Sequence, residues 1–434
     1  MQTKELHIGI DFSKLRADTG MFDGQGETIV SHQALSNTNT GFEKFKKLIL
    51  EASATYDIET VNISGEATSL YWMPFFLEIA KDKELKEANT HLYLLNPRMV
   101  KWFKKSLPAD HKTDAKDAQI IAERTRVMRP AHEWQPDYDW FRLRYYTRLR
   151  FHLVQDLTRE KNYFQAYLFV LNNAYAQYKP FSDMFGAISC KFLKQLDKLD
   201  EIVAMETLDA LQILQESSKT KLPDPLQNLR TLQKIAKERF VINDDFASTL
   251  QQILNLVLNH IQFIAGQIRE LESMIVVEAA RHPEVAALRS VPGIGPIFSS
   301  GISSEVGDLD RFLQGQKWDN KRNRYRPKNL RDAEASIAKI SGLWWPRFAS
   351  GSFEAEDRNL SKSGNRYLRY YLIEAAEHLR QHVPAYTEYY QKKYAEVNRH
   401  RHKRALVLTA RKSIGLYVGL LHRKEPFCSK ENAT

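Results

Sequence analysis

Asp114 and Asp117 stand three residues apart in the run HKTDAKDAQ, residues 111–119. On a helix this spacing puts both carboxylates on one face, one turn apart. Two such groups repel each other unless a cation lies between them. Lys112 and Lys116 flank the pair and offer that charge as a solvated ion-pair surface. Divalent metal offers it as well, provided further acids arrive from elsewhere in the chain. Asp11 and Glu66 are the candidates, because each stands where a predicted strand gives out. Four carboxylates brought together are costly without divalent cations. Their hard oxygen atoms suit Mg²⁺ or Mn²⁺. Two such ions, roughly 3.5–4 Å apart, clamp the attacking and leaving oxygens of a phosphodiester. Taken singly, each acid reads more readily as a cap or a surface charge, and spacing alone does not make the four converge.

The segments around these acids predict how they are positioned. Residues 6–10 are a short apolar strand ending at Asp11, with Gly9 leaving room beside the backbone. Residues 16–22 and 28–35 read as the next two strands, joined at the Gly24/Gly26 turn. Residues 41–50 have helical spacing, and residues 61–64 form a strand followed by Gly65-Glu66. Residues 70–80 are helical, residues 92–95 are a strand, and Asn96-Pro97 opens a basic helix over 98–105. A three-strand meander followed by strand–helix alternation predicts a mixed α/β sheet domain over residues 1–135. Neighbouring strand ends lie close together in a sheet. A helix carrying Asp114 and Asp117 across them would gather all four acids.

The chain has 434 residues, enough for two or three domains, and its 43% hydrophobic and 27% charged residues are ordinary for a globular protein. Two cysteines, Cys190 and Cys428, exclude a disulfide framework and a four-thiolate zinc site and suit a reducing compartment. The N-terminal run lacks the apolar core of a signal peptide. No run approaches the ~18 apolar residues of a membrane span. A cytoplasmic protein with no membrane partner is expected. The net charge is +10, and residues 281–434 carry 28 Lys and Arg against 16 Asp and Glu. The remainder is nearly balanced, so the basic charge belongs to the last third. There it is interleaved with Trp, Tyr and Asn, the pattern of a nucleic-acid surface.

Residues 136–285 read as a helical, coiled-coil spacer. Residues 140–169 fit one long helix and 250–276 a second, with Ile253, Val257, Ile261, Ile264 and Ile268 close to a coiled-coil stripe. Residues 181–199 and 201–216 have helical patterns, and the prolines in 220–225 mark a break. Arg142, Arg144, Arg148 and Arg150 are striped around the first long helix, either as a solvated face or as contacts to phosphate. Residues 286–434 are expected to be mostly helical. Pro292-Gly293-Ile294-Gly295 lies between two helical stretches in a helix–hairpin–helix pattern, whose turn amides at Gly293 and Gly295 would meet a phosphate. The run KWDNKRNRYRPKNLR, with Arg322 and Arg324, reads as a loop or short strand pair on a phosphate backbone. Lys362, Asn365, Arg366 and Arg369 fall at and along a helix start, as a capped solvated helix or as phosphate contacts.

DFSK at residues 11–14, GEATS at 65–69, and LNPRMVKWFKKS followed by HKTDAKDA resemble the DEDD transposases of the insertion-sequence one-ten family. The last third is similar to the C-terminal domain of the same family, with a Ser-Gly followed by SKSGNRYLR. The resemblance implies an RNase H-like, RuvC-like N-terminal domain. It implies Asp11, Glu66, Asp114 and Asp117 as the catalytic, metal-binding tetrad, with Lys112 beside it on nucleic acid. It further implies a C-terminal serine transposase domain with Ser350 as the nucleophile, holding the cut strand as a phosphoserine. Ser352 is the second candidate, because the spacing to SKSGN is slightly longer than the usual pattern. On the residues alone, Ser350 reads as a turn serine. The partners implied are donor and target double-stranded DNA, a bridge RNA that pairs with both, and further copies of the chain in a dimer or tetramer.

The function expected is that of an insertion-sequence transposase, a recombinase that cuts and rejoins DNA. A metal-only RuvC-like nuclease or Holliday-junction resolvase, with Ser350 structural, is the first rival. A non-enzymatic nucleic-acid scaffold is the second. An actin-like sugar kinase is the third, and it needs phosphate-loop glycines that the sequence lacks.

Overall fold

A computed structural model of the protein describes residues 4–107, 113–128, 132–207, 209, 224–346, 349–350, 353–354 and 359–428. The chain divides into two compact units, residues 1–137 and 138–434. The second unit contains both the regions expected over 136–285 and 286–434. No helix among the described residues is long and apolar enough to cross a membrane.

The first unit opens with β1 (Glu5–Phe12), β2 (Arg16–Asp23) and β3 (Thr28–Ser36). α1 (Asn39–Tyr56) leads to β4 (Thr60–Glu66), and α2 (Met73–Lys81) and α3 (Lys83–Glu87) lead to β5 (Thr90–Leu95). α4 (Pro97–Ser106) and α5 (Asp114–Val127) follow. The strand order is β3-β2-β1-β4-β5, antiparallel from β3 to β1 and parallel from β1 through β4 to β5. A mixed five-stranded sheet of this kind is consistent with the RNase H-like fold that the resemblance implies. β1 is central, and Leu6, Ile8 and Ile10 are fully buried, as a strand covered on both faces requires. Phe12, Phe42, Phe45, Phe75 and Phe76 meet edge to face in one core, each ring contributing about 2–3 kcal/mol by burial. α5 packs on β1 through buried Ala118, Ile121 and Ala122.

In the second unit α6 (Tyr138–Leu171) lies beside the helix Asp244–Ala279. The two are antiparallel, because their ion pairs run in opposite order: Arg142–Glu278 at 4.0 Å, Arg150–Glu272 at 2.7 Å and Glu160–His260 at 3.6 Å. The buried stripe of the second helix runs Leu250, Leu254, Leu258, Ile261, Ile264, Ile268, Leu271 and Ile275, and Ile253 and Val257 are half-buried beside it. Far along α6, Phe164, Leu168 and Leu171 join a core with Phe192, Leu229, Leu232 and Leu254. Near its start, Trp140 and Leu143 pack on Leu271, Ile275 and Val285. A third core joins the helices Pro296–Val306, Leu330–Ser341, Arg366–His382 and Arg401–Arg423 around Ile302, Ile337, Tyr371 and Tyr417.

Local departures from expectation have local causes. Of the break expected over 220–225, residues 220–223 lie outside the described residues. Pro225 is the first residue of the helix Pro225–Glu238, and the Asp224 side chain caps it by accepting from the Gln227 amide at 2.9 Å. Residues 181–199 form the helix Ala187–Leu193 and a 3₁₀ turn, Leu196–Lys198, in place of one continuous helix. The helix Leu199–Ala204 covers the start of the stretch expected over 201–216, and half of that stretch lies outside the described residues.

Candidate active site

β1 and β4 run parallel with Ile10 opposite Gly65, so Asp11 and Glu66 come next on adjacent strands. Gly65 has no room for a side chain, since a Cβ there would stand 2.8 Å from the rings of Phe12 and Phe76. α5 comes closer to β1 than a side chain would permit. A Cβ on Gly9 would lie 2.1 Å from the Ala118 carbonyl oxygen and 2.3 Å from the Ala122 nitrogen. The buried hydroxyls of Ser64 and Thr125, 2.5 Å apart, tie α5 to β4 as well. Thr113 caps α5, its Oγ1 accepting from the Lys116 amide at 3.3 Å, and Asp114 and Asp117 occupy the first turn. A helix N-terminus favours negative charge there. Both aspartates continue, one turn further out, the face that Ala118 and Ile121 press on the sheet.

The four acids share one electrostatic environment. Burial, then the charges of Asp117, Glu66 and Asp114, push the Asp11 carboxyl up to about 6, with Asp18 adding to them. Asp18 stands directly opposite Asp11 on β2, is buried, and meets His32 Nε2 at 2.8 Å. Glu66 accepts from the Thr68 hydroxyl at 2.7 Å, and Asp117 forms an ion pair with Lys104 of α4. The donor set is the one that hard divalent cations prefer. In this arrangement of side chains, however, no three acidic, imidazole or thiol groups among the described residues enclose a metal position. Lys104, thirteen residues upstream in α4, supplies counter-charge at Asp117. Lys112 lies outside the described residues.

The C-terminal candidates fall in three places. Ser350 lies on the short strand Ala349–Ser350, paired antiparallel with Phe353–Glu354, and Phe353 stands opposite it. Ser352 lies outside the described residues. The return limb is anchored to the end of the helix Leu330–Ser341. The Ser361 amide donates to the Trp344 carbonyl at 3.0 Å, Lys362 to Gly342 at 3.2 Å, and Asn365 to Ile340 at 2.7 Å. Gly364, at φ 137°, makes this approach possible, because a Cβ there would lie 2.0 Å from the Ile340 oxygen.

The basic turn motif is largely committed to the fold. Asn365 caps the helix Arg366–His382 through Oδ1, and its Nδ2 donates to Glu305 at 2.6 Å. Arg369 donates to the carbonyls of Ser341 at 3.0 Å and Lys362 at 2.9 Å. Lys362 and Arg366 are exposed, and Arg366 stacks on Phe151 and Tyr367. At the helix–hairpin–helix turn, Gly293 packs on the end of another helix, where a Cβ would meet His382 at 2.7 Å. Gly295 is open. Arg322 and Arg324 are exposed on a hairpin described below.

Of the arginines striped along α6, Arg142 is exposed, while Arg144, Arg148 and Arg150 are half-buried and engaged within the unit. Arg148 grips Glu305 through two hydrogen bonds of 2.6 and 2.8 Å, Arg150 pairs with Glu272, and Arg144 donates to the Ser304 carbonyl at 2.7 Å. Glu305 is buried, and nothing local in the sequence marks a partner 157 residues away.

Residues 8–172 match a family model for DEDD transposases of the IS110 kind, described as a transposase. Residues 327–391 match a second model, described as transposase IS116/IS110/IS902 family. No curated protein matches the chain. The first match contains all four candidate acids and the second contains Ser350. Both matches are to transposases, and together they indicate a DNA transposase/recombinase. Within that class the likeness is to the IS110 group in both parts of the chain.

Proposed function

We propose that the protein cuts and rejoins DNA during transposition, with Asp11, Glu66, Asp114 and Asp117 holding divalent cations and Ser350 acting as the nucleophile. The observation that carries the first half is the shared charge environment of the four acids, set by the β1–β4 register and the close packing of α5. Mg²⁺ or Mn²⁺, when bound, supplies positive charge that polarises the phosphodiester. The four carboxylates would hold the ions, and Lys104, paired with Asp117, places a cation beside them.

In the serine step, the Ser350 hydroxyl gives up its proton and its Oγ bonds to phosphorus. One P–O ester bond breaks, and the departing deoxyribose oxygen leaves as a hydroxyl. The phosphoserine conserves the ester for rejoining, which is the same exchange in reverse with a new strand. The family likeness over residues 327–391 and the pairing of Ala349–Ser350 with Phe353–Glu354 support this role for Ser350. A bridge RNA that selects donor and target, and an assembly of several copies, extend the reading on resemblance alone. RNase treatment before assembly would then abolish exchange.

The test is to incubate the full chain with donor and target DNA and Mg²⁺, denature it, and map any protein–DNA adduct. An adduct on Ser350 is expected, lost in Ser350→Ala. An adduct on neither Ser350 nor Ser352 overturns the assignment. Undiminished cleavage by Ser350→Ala would favour the metal-only resolvase.

A further inference from the structure

Residues 316–327 form a hairpin of β6 (Gln316–Asp319) and β7 (Arg324–Pro327), and all but Pro327 lie outside both matched segments. Its register pairs Lys317 with Arg326 and Trp318 with Tyr325. Alternation therefore puts the two basic residues on one face and the two aromatic residues on the other. The basic face is fastened down. Lys317 Nζ meets Asp332 at 2.8 Å, and Arg326 meets the same carboxylate at 2.6 and 3.2 Å. Asp332 is buried and also caps the helix Leu330–Ser341 in a reciprocal box with Asn329. Those partners hold its carboxyl far below the usual range, the Arg326 hydrogen bond foremost.

The opposite face has no such cover. Trp318 is 44% exposed and Tyr325 64% exposed, with their rings perpendicular and 5.1 Å apart. At the turn, the Asp319 carboxylate accepts from the amides of Lys321 and Arg322 at 3.0 and 3.3 Å, shaping the loop. The side chains of Lys321, Arg322 and Arg324 are exposed, and no carboxylate among the described residues forms an ion pair with them. By the same alternation Arg324, opposite Asp319, falls on the basic face, so the exposed rings are flanked by the turn cations Lys321 and Arg322. A Trp and Tyr left in water on a charged hairpin add nothing to the core, and their π-faces match unstacked bases while the cations match the adjoining phosphates.

We propose that this hairpin binds single-stranded DNA, stacking unpaired bases on Trp318 and Tyr325 while Lys321 and Arg322 at the turn follow the backbone. The proposal rests on the strand-exchange reading above, because exchange is what exposes an unpaired strand. Duplex DNA keeps its bases stacked on one another and offers these rings little.

The test uses the full chain in EDTA, so that no cutting intervenes, with a fluorescein-labelled oligothymidylate, a duplex of the same length and an oligouridylate. Anisotropy titrations are expected to show Trp318→Ala weakening oligothymidylate binding about ten-fold. Trp318→Phe restores most of that loss, and duplex binding is unchanged by either variant. The salt dependence of binding is unaffected by Trp318→Ala but shallower in the Lys321→Gln/Arg322→Gln double variant. Unchanged oligothymidylate affinity in Trp318→Ala, an equal loss on duplex, or tighter binding of oligouridylate by the wild type would each overturn the proposal. A negative result leaves the serine adduct untouched, and an adduct on neither serine leaves this binding untouched.

Discussion

Replacing Asp11 with Asn should stabilise the first unit when metal is absent and weaken it, relative to the wild type, when metal is present. The Asp11 carboxyl is pushed up to about 6 from an ordinary value of 3.8 by burial and by its acidic neighbours. A shift of about two units corresponds to about 3 kcal/mol. Asp11 is only partly buried, and screening by solvent reduces that to roughly 1 kcal/mol. The folded state takes up the proton first, so the stability is fully present below pH 3.8 and is lost as pH rises through about 6. Asparagine carries no charge to repel. In EDTA at pH 8 the variant should therefore exceed the wild type by roughly 1 kcal/mol, an about five-fold slower exchange of β1 and α5 amide hydrogens. At pH 5 the advantage should be about half as large, and near pH 4 it should vanish. Added Mg²⁺ should reverse the order, because binding to the native state stabilises in proportion to affinity and the variant lacks one ligand. Native-state hydrogen exchange across this pH series is the assay. A variant less stable than wild type in EDTA at pH 8 would show that the acids do not repel one another, and the metal-site reading would lose its physical basis.

Gly9→Ala forces α5 off β1, since its Cβ would stand 2.1 Å from a backbone oxygen; metal affinity by calorimetry should fall at least about ten-fold, with the sheet still formed by circular dichroism. Glu305→Ala strands Arg148 and Asn365 and should cost about 3–5 kcal/mol in urea unfolding of the second unit, most of it absent if both partners are removed together. Gly364→Ala meets the Ile340 oxygen at 2.0 Å from a left-handed backbone; strand exchange should fail while duplex DNA binding in a gel-shift assay persists.

The strands of the first unit could be read because each is short and bounded by polar or glycine turns, although β1 and β4 are buried nearly throughout without alternation and β3 is mostly exposed. The approach of Asp11 to Glu66 could also be anticipated, because strand ends become neighbours once β1 and β4 pair in parallel. Lys104 as the counter-ion of Asp117 was hidden. That pairing depends on how α4 packs, and one lysine in a basic helix looks like the next. The same limit applies to the arginines of α6. Their striping is visible in the sequence, but the buried Glu305 that fixes Arg148 lies far along the chain. Gly293 and Gly295 look equivalent in a Gly-x-Gly turn, yet one faces a helix end and the other faces open space. The helix start at Asn365 could be read, but the buried Glu305 that its side-chain amide meets could not.

α6 leaves the C-terminal core and the helix Asp244–Ala279 returns to it alongside, so everything between them is an excursion whose two ends are adjacent. Such a stem works as a ruler. Adding seven residues to each helix would carry the far core about 10 Å outward while leaving nearly the same faces in contact. Neither core would need a new sequence. Lineages that share this architecture can therefore differ in the length of the stem, and in what is grafted at its end, while the residues at its base stay in register.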